Sequence, residues 1–263
     1  MRPNPERNID LPEALKEQIH DAELVEVHEG MSGVRVFRVD EGHYLKIAER
    51  HSEQDLYPEA TRLLWLQHRL PVPQIAYWGE DARHQYLLMT AVPGVVLYDE
   101  SVRERLADVI RLYASGLRQI HGLTVEPCPF DARLDLKIAQ AEGRLRAGGV
   151  DVSNFDSDRA GWSADEAFEH LLETRPSDED LVFTHGDYCT PNVLIDPVSM
   201  SMSGFIDWGR AGIADRYQDL ALAARSIEYN FGAAWVTPFF EAYGITQVDQ
   251  TKVAFYKLLD EFF

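Results

Sequence analysis

The sequence is short of cysteine, of long hydrophobic runs and of basic residues, and each shortage excludes a class of protein. Its two cysteines, Cys128 and Cys189, lie far apart with no C-x-x-C pair, which argues against a zinc cluster or a disulfide framework. No apolar run reaches the roughly 18 residues that cross a bilayer, and the polar start MRPNPERNID lacks the apolar segment of a signal peptide. We therefore expect a cytoplasmic protein with reduced thiols and no membrane contact.

Basic residues are outnumbered along the chain. Lys and Arg total 25 against 44 Asp and Glu, a formal net charge of -19. Such a field repels nucleic acid and attracts cationic ligands. The acids are densest between Asp151 and Asp187, where eleven face only two bases, Arg159 and Arg175. A solvated helical face would explain this density equally well, so charge alone leaves both interpretations open.

The first part of the chain has the pattern of a small β-rich lobe. Its 263 residues fit one large domain or two packed lobes, and there is no internal repeat. The segments ELVEVHEG, VRVFRVD and HYLKIAE, separated by turn formers, predict a three-stranded meander. A helix is predicted over 52–70, with Ser52 as N-cap and Pro71 as stop, and a hairpin over 73–90.

After residues 91–95 the pattern becomes mainly helical. Apolar positions recur every three or four residues, and a strand and a hairpin interrupt the helices. Helices are predicted over 104–123, 135–149, 163–175, 217–231 and 248–263, with a loop over 150–162, a strand over 181–187 and a hairpin over 192–207. The predicted fold class is α+β, with a β-rich lobe over 1–92 and a larger helical lobe over 93–263.

The segment THGDYCTPNVLID carries the clearest chemical signal. It places Asp187 and Asn192 five residues apart, and Asp207 follows in GFIDWGR. Carboxylate and amide oxygens are the ligands that Mg²⁺ prefers, so Asn192 and Asp207 could hold the ion while Asp187 orients a hydroxyl. The spacing His-x-Asp-x-x-x-x-Asn, followed by Asp-aromatic-Gly, matches the skeleton of the protein-kinase catalytic and metal loops. Each residue alone is more often a turn residue. The three in this order predict phosphoryl transfer.

The first lobe offers an independent check on this prediction. A kinase needs a Lys on its third strand to neutralise nucleotide phosphates and an acid on the next helix to hold that Lys. Lys46 lies on the third predicted strand, and Glu59 lies one turn before Leu63 on the inward face of the helix. Glu53 is the rival partner. The G-x-G-x-x-G loop is missing, and EGMSGVRV stands in its place, where backbone amides could still hold a phosphate.

These motifs resemble one known family across nearly the whole chain. HGD….PN, IDWGR, ADRYQDLA and LLDEFF are similar to the aminoglycoside phosphotransferases, most closely the 3′-phosphotransferases that inactivate kanamycin and neomycin. The amino-terminal lobe resembles the family more loosely, through EGMSG, YLKI and EATRLLWL. The resemblance implies a protein-kinase-like two-lobed fold, ATP and Mg²⁺ as cofactors, and antibiotic resistance as the outcome.

The resemblance also implies a role for each site residue. Asp187 would orient the sugar hydroxyl, with His185 holding the loop, and Asn192 and Asp207 would bind the metal. The nucleotide would be bound by Lys46 with Glu59, Met31, Ser32, Tyr44, Thr90 and Val92. The polycationic drug would be bound by Asp156, Asp158, Arg210, Asp260, Glu261 and Phe263, the last through its carboxylate. Asn154, Ser157, Tyr188, Thr190 and Trp208 depart from the family pattern and leave drug preference open.

Two alternatives remain at this point. One is a related small-molecule kinase that acts on another hydroxylated amine or a macrolide. The other is a non-catalytic protein that keeps the kinase fold, although retention of Lys46, Asp187, Asn192 and Asp207 argues against it. We expect a monomer or a weak dimer that binds neither nucleic acid nor membrane.

Overall fold

A computed structural model of the protein describes residues 11–20, 22–27, 34–50 and 54–263. The chain divides into two compact units. The first comprises the described residues up to Gln67 together with Val72–Val92, and the second comprises His68–Pro71 and Pro93–Phe263. The sequence placed one boundary after residue 92, whereas His68–Pro71 also group with the second unit. There, the Pro71 carbonyl accepts a hydrogen bond from the Phe205 amide at 3.0 Å.

The first unit is built on a five-stranded antiparallel sheet. The strands are β1 (Val25–Val27), β2 (Arg35–Arg38), β3 (His43–Glu49), β4 (Ile75–Glu80) and β5 (His84–Thr90). Their spatial order is β1-β2-β3-β5-β4. Successive pairing of the first three strands confirms the predicted meander, and pairing of β4 with β5 confirms the predicted hairpin.

Two helices complete the described part of this unit. Helix α1 (Glu13–Ile19) was not predicted, and it packs Leu15 into the core with Leu45 and Tyr86. Helix α2 (Tyr57–Leu66) is shorter than the predicted 52–70. It begins late because Pro58 favours the first helical turn, and it ends before Pro71 because Gln67 is extended. Ser52 lies outside the described residues, and the cap position is Leu56.

The second unit is mainly helical. Its helices are α3 (Leu106–His121), α4 (Leu134–Ala147), α5 (Ala164–Glu173), α6 (Tyr217–Phe231), α7 (Val236–Tyr243) and α8 (Gln250–Asp260). Its strands are β6 (Val95–Val96), β7 (Leu181–Thr184), β8 (Val193–Asp196), β9 (Ser201–Phe205) and β10 (Gly212–Asp215). The predicted helices, the strand after residue 180 and the hairpin are present. Helix α7 and strands β6 and β10 were not predicted. None of the described helices combines the length and apolar character needed to span a membrane.

Strand pairing in this unit brings two loops to one place. Antiparallel β7 and β10 pair Thr184, the last residue of β7, with Gly212, the first residue of β10. The loop that leaves β7 therefore begins beside the point at which the loop that enters β10 ends. Antiparallel β8 and β9 pair Val193 with Phe205. Asn192 and Ile206 therefore lie at the same end of the hairpin, where the Ile206 amide donates to the Asn192 carbonyl at 3.0 Å.

Candidate active site

The loop after β7 is anchored through its backbone amides by a buried carboxylate of α6. Asp219 is fully buried, and it accepts the backbone amides of His185 at 2.7 Å and Gly186 at 2.8 Å. His121 Nε2 lies 3.0 Å from the same carboxylate. Leaving a buried acceptor unmatched is costly, so these partners fix the start of the loop. The sequence assigned no role to Asp219, although it stands in the quoted motif ADRYQDLA.

His185 fixes the loop as the resemblance implied. Its Nε2 lies 2.9 Å from the carbonyl oxygen of Ile206, and its Nδ1 accepts the Asp187 amide at 3.3 Å. A carbonyl can only accept, so Nε2 carries the proton. Both ring nitrogens are thus occupied by backbone groups, and the imidazole positions the loop.

Gly186 permits the close approach of two loops. Its φ is +82°, and a Cβ at this position would collide with the backbone carbonyl of Arg210. Glycine is the residue that adopts this conformation without steric cost. The turn brings the segment containing Arg210 against the segment that leads into Asp187.

Two tyrosines tie the loop to α3 through crossed hydrogen bonds. The Tyr113 hydroxyl donates to the Tyr188 carbonyl at 2.7 Å, and the Tyr188 hydroxyl donates to the Tyr113 carbonyl at 2.8 Å. Their rings stack with centroids 4.7 Å apart. Burial raises the pKa of both hydroxyls well above the ordinary value, so both remain donors. Tyr188 departs from the family pattern, yet here it stabilises the loop.

The loop brings Asp187 and Asn192 together, as predicted. Asn192 Nδ2 donates to the Asp187 backbone carbonyl at 2.9 Å and to its Oδ2 at 3.2 Å. Cys189 Sγ lies 3.2 Å from Asp187 Oδ1. Burial and the charge of Asp187 raise the pKa of the Cys189 thiol well above its usual range, so it keeps its proton and donates. Neighbours therefore orient both oxygens of the carboxylate.

Asn192 and Asp207 fit a hard cation. The Asn192 amide nitrogen donates within the loop, which leaves the amide oxygen as the atom of this side chain that could bind a metal. Asp207 follows β9 with a φ of +63°, one residue after the amide that binds the Asn192 backbone. Within the described ranges no group of three His, Cys, Asp or Glu could hold a metal. Mg²⁺ takes a few protein oxygens and its remaining ligands from water and phosphate, and the Asn192 amide and Asp207 carboxylate oxygens are of the chemical type that it binds.

In the first unit, the predicted ion pair of Lys46 and Glu59 is present. Lys46 Nζ lies 2.9 and 2.8 Å from the two carboxylate oxygens. The side chains are only 14% and 7% exposed, so the pair is shielded from solvent. Glu59 stands in the first turn of α2. The rival Glu53 lies outside the described residues.

Two of the three residues predicted to contact adenine, Tyr44 and Thr90, lie on inner strands of the first unit. Tyr44 on β3 pairs with Met89 on β5, and the neighbouring pair is His43 with Thr90. The Thr90 backbone amide already donates to the Gln74 carbonyl at 2.9 Å. Of the two backbone groups of Thr90, the carbonyl is therefore the one that could bind a nucleotide. Val92 is the last residue of this unit. Met31 and Ser32, predicted to cover the phosphates, lie outside the described residues.

The acidic residues predicted to bind drug lie among arginines of the second unit. Arg210 donates to Asp260 at 2.9 Å, and Arg225 also binds this carboxylate. Arg159 binds both oxygens of Glu261. Arg159 also donates to Asp156 Oδ2 at 2.9 Å, and Arg225 lies 3.9 Å from the same oxygen. Burial acts to lower the pKa of Arg225, but the charge and hydrogen bond of Asp260, together with the charge of Asp156, raise it above the usual value.

Asp158 and Phe263 complete the predicted set. Asp158 is exposed and accepts the Ser157 hydroxyl at 3.3 Å. The Phe263 ring lies 4.7 Å from Lys137 Nζ and 5.7 Å from the Arg210 guanidinium carbon. Sequence reasoning did not assign Arg159, Arg225 or Lys137, because nothing local in the sequence indicates ion pairs between such distant positions.

Three comparisons place the chain among known proteins. The family model of the APH phosphotransferase enzymes matches residues 23–256. An aminoglycoside 3′-phosphotransferase of Streptomyces fradiae is 43% identical over 90% of this chain and 94% of its own length. The crystal structure of an aminoglycoside 3′-phosphotransferase of type VIII has a TM-score of 0.86 at 38% identity, covering 95% of this chain and 97% of that one.

A further neighbour carries ligands. The aminoglycoside phosphotransferase APH(3″)-Id from Streptomyces rimosus, in complex with ADP and streptomycin, has a TM-score of 0.82 at 26% identity. It covers 94% of this chain and 95% of that chain. Sequence, fold and the anchored Asp187 loop agree, and the chain belongs to the aminoglycoside 3′-phosphotransferases of the APH phosphotransferase family.

Proposed function

We propose that this protein transfers the γ-phosphoryl group of ATP to the 3′-hydroxyl of kanamycin- and neomycin-type aminoglycosides and so confers resistance to them. The 43% identity to a 3′-phosphotransferase over most of both chains supports the reaction. Because the proposed reaction consumes ATP, we place it in the cytoplasm, where ATP is available. The observation that carries the proposal is the carboxylate of Asp187, held by Cys189 and Asn192 on a loop anchored by a buried acid.

Asp187 orients the attacking hydroxyl in this proposal. Phosphoryl transfer passes through a loose transition state, so positioning and electrostatic stabilisation supply most of the acceleration. A carboxylate whose two oxygens are both oriented by neighbours loses little freedom when a hydroxyl arrives. His185 is occupied by backbone partners, so Asp187 is the group of this loop that receives the hydroxyl proton.

The nucleotide is assigned to Lys46, with Glu59 holding its ammonium group in place. Tyr44, the Thr90 carbonyl and Val92 would contact adenine, and Met31 and Ser32 the phosphates. ADP in the related APH(3″)-Id supports a nucleotide of this type. Mg²⁺, held by Asn192 and Asp207, would offset charge on the phosphate oxygens.

The drug site is assigned to the acidic residues of the second unit. An aminoglycoside carries several ammonium groups, and each gains from a carboxylate in a partly desolvated cleft. Asp156, Asp158, Arg210, Asp260, Glu261 and Phe263 are the proposed set. The net charge of -19 favours approach of such a polycation.

The direct test replaces Asp187 by Asn and measures ADP release with kanamycin. Loss of the base should reduce kcat about 10²–10⁴-fold, while the affinity for kanamycin stays near that of the unaltered protein. Choline, erythromycin and an aminoglycoside lacking the 3′-hydroxyl serve as control substrates. Equal turnover of the 3′-deoxy drug would contradict the 3′ assignment, and near-normal turnover by Asp187→Asn would remove Asp187 from its role.

A further inference from the structure

A chain of hydrogen bonds leads from the end of α7 to the buried carboxylate that anchors the loop of Asp187. Tyr243 is the last residue of α7, and its hydroxyl lies 2.7 Å from Nδ1 of His121, the last residue of α3. His121 Nε2 lies 3.0 Å from Oδ2 of Asp219, in the first turn of α6. Tyr243 is 6% exposed, and the side chains of His121 and Asp219 are 4% and 0% exposed. Each of these polar groups therefore has to be satisfied by its protein neighbours.

The partners in this chain determine which nitrogen of His121 carries the proton. Asp219 accepts at both of its oxygens, because Oδ2 accepts the His185 amide and Oδ1 accepts the Gly186 amide. His121 Nε2 must therefore donate to Asp219, and in the neutral ring Nδ1 must then accept. The Tyr243 hydroxyl supplies the proton for that second bond.

Arg216 fixes the direction of the Tyr243 hydrogen bond. Its Nη1 donates to the Tyr243 hydroxyl oxygen at 3.1 Å, and a guanidinium can only donate. The hydroxyl therefore accepts from Arg216 and points its own proton at His121. Burial raises the pKa of this hydroxyl above its ordinary value, so it keeps that proton. Arg216 itself precedes α6 and is held by Asp180, which accepts from Nη2 at 3.1 Å.

We propose that Tyr243 is a positioning residue for phosphoryl transfer, because its hydroxyl holds the His121 imidazole in the form that donates to Asp219. Asp219 in turn fixes the two backbone amides that precede Asp187. Without the Tyr243 proton the buried Nδ1 of His121 loses its donor, and the ring then turns or takes the other tautomer. The carboxylate below the loop is released, and Asp187 is no longer aimed. This inference rests on the proposed function and extends it to a residue at the end of α7.

Removal of the hydroxyl alone tests the proposal. Tyr243→Phe keeps the ring and its edge contact with His121, in which the ring centroids lie 5.7 Å apart. We expect kcat with kanamycin to fall about tenfold, equivalent to about 1.4 kcal/mol, while KM for kanamycin and KM for ATP change less than about twofold. Tyr217→Phe is the matched control, because Tyr217 is 8% exposed and its hydroxyl accepts the Asp249 amide at 3.0 Å. Both variants lose one hydrogen bond, so a fall in kcat confined to Tyr243→Phe separates positioning from destabilisation. A near-normal kcat in Tyr243→Phe would overturn the proposal.

A double-mutant cycle tests whether the hydroxyl acts through His121. The amide nitrogen introduced by His121→Gln carries its protons without help from Tyr243, and it can donate to Asp219 as Nε2 does. In the His121→Gln background, Tyr243→Phe should therefore lower kcat less than about twofold. An equal, tenfold fall in both backgrounds would show that the hydroxyl acts by another route, and the proposal would be wrong.

A measurement on the unaltered protein does not depend on the folding of any variant. The nitrogen chemical shifts of the His121 ring, assigned by their absence in His121→Gln, distinguish a protonated nitrogen from one that accepts a hydrogen bond. We expect the protonated type at Nε2 and the accepting type at Nδ1, and any other pattern would overturn the proposal. If the unaltered protein does not phosphorylate kanamycin, the proposed function fails. If it does, and Tyr243→Phe keeps its kcat, only this inference fails.

Discussion

Two glycines of the second unit share a left-handed backbone but differ in their surroundings. Gly186 has a φ of +82° and faces the Arg210 carbonyl, whereas a Cβ added at Gly148, which has a φ of +70°, would meet nothing within 4 Å. Alanine at Gly148 therefore costs only backbone strain, about 1 kcal/mol. Alanine at Gly186 adds a collision and should cost about 3 kcal/mol, together with much of the activity.

Urea unfolding of the two alanine variants measures this difference. The Gly148→Ala variant should keep its turnover, because the strain lies at the end of α4. Equal unfolding free energies for the two variants would show that the loop containing Asp187 accommodates a Cβ at residue 186 without additional loss of stability, and would contradict the prediction.

Glu59 offers a second prediction for a single side chain. Replacing it by Gln keeps the shape but removes the negative charge that lies 2.8 Å from the shielded Lys46 ammonium. Removing one member of such a pair costs about 3–5 kcal/mol when both are buried. We expect a lower midpoint of unfolding and a raised KM for ATP, measured by thermal denaturation and steady-state kinetics. An unchanged KM for ATP with a lowered midpoint would leave Glu59 a purely structural role.

The sequence indicates candidate reacting residues more readily than their partners. Asp187, Asn192 and Asp207 are predicted from the sequence because their spacing is local and their chemistry is shared. Asp219 and Arg225 were not found, because their roles arise from contacts across more than thirty positions, such as the Asp219 bond to the His185 amide. Pairings of that kind are set by the fold, and a single sequence does not show them.

At the scale of elements, the turn between β4 and β5 predicts a pH dependence. Asp81 accepts the Tyr86 hydroxyl at 2.7 Å and the amides of Arg83 and His84. These hydrogen bonds, of which the Tyr86 bond contributes most, lower the pKa of Asp81 to about 2. In the unfolded chain Asp81 has a higher pKa, so as the pH falls it binds a proton there before it does in the folded protein. The stabilisation is therefore complete above about pH 4 and is lost as the pH falls through about 2.

Comparison with Asp81→Asn isolates this contribution from other acid effects. Between pH 4 and pH 2 the unfolding free energy should fall more steeply for the unaltered protein than for the variant. Parallel curves would contradict the role of Asp81. The control is Glu41→Gln, which makes the same change from acid to amide at an exposed position of the same unit.

Elements with strong local patterns were predicted well, and short or pairing-dependent elements were missed. Strand β3 matches its predicted segment HYLKIAE, and α6 matches YQDLALAARSIEYNF. Helix α7, VTPFFEAY, has only eight residues and contains a proline, so it offers little length for a helical pattern to be recognised. Strand β10 has four residues and exists through its pairing with β7. Such a strand has little local signal.

At the scale of the whole molecule, the net charge of -19 predicts a salt-dependent reaction. Long-range attraction of a polycation weakens as salt shortens the screening length from about 10 Å at 0.1 M to about 3 Å at 1 M. At saturating ATP, kcat/KM for kanamycin should fall as NaCl increases, through KM and with little change in kcat. An aminoglycoside with fewer amino groups should show a shallower slope. Identical slopes would assign the salt effect to something other than drug charge.

The oligomeric state, a monomer or weak dimer, stays a prediction from the sequence, and sedimentation of the purified protein would test it. The two units themselves follow the change from strand to helix patterns near residues 91–95. The short segment His68–Pro71 could not be assigned in this way, because it groups with the second unit through contacts such as the Phe205 amide to the Pro71 carbonyl.

That short segment limits how this protein can be cut and recombined. A chimera made by joining residues 1–92 of this chain to the remainder of a relative would import His68–Pro71 into a foreign helical half, where a new residue must replace Phe205 as hydrogen-bond donor. Swaps that transplant these four positions together with 93–263 keep the native partners. Chimeric enzymes made by exchanging the two units should therefore fold more often when additional crossovers flank His68–Pro71 than when a single crossover follows residue 92.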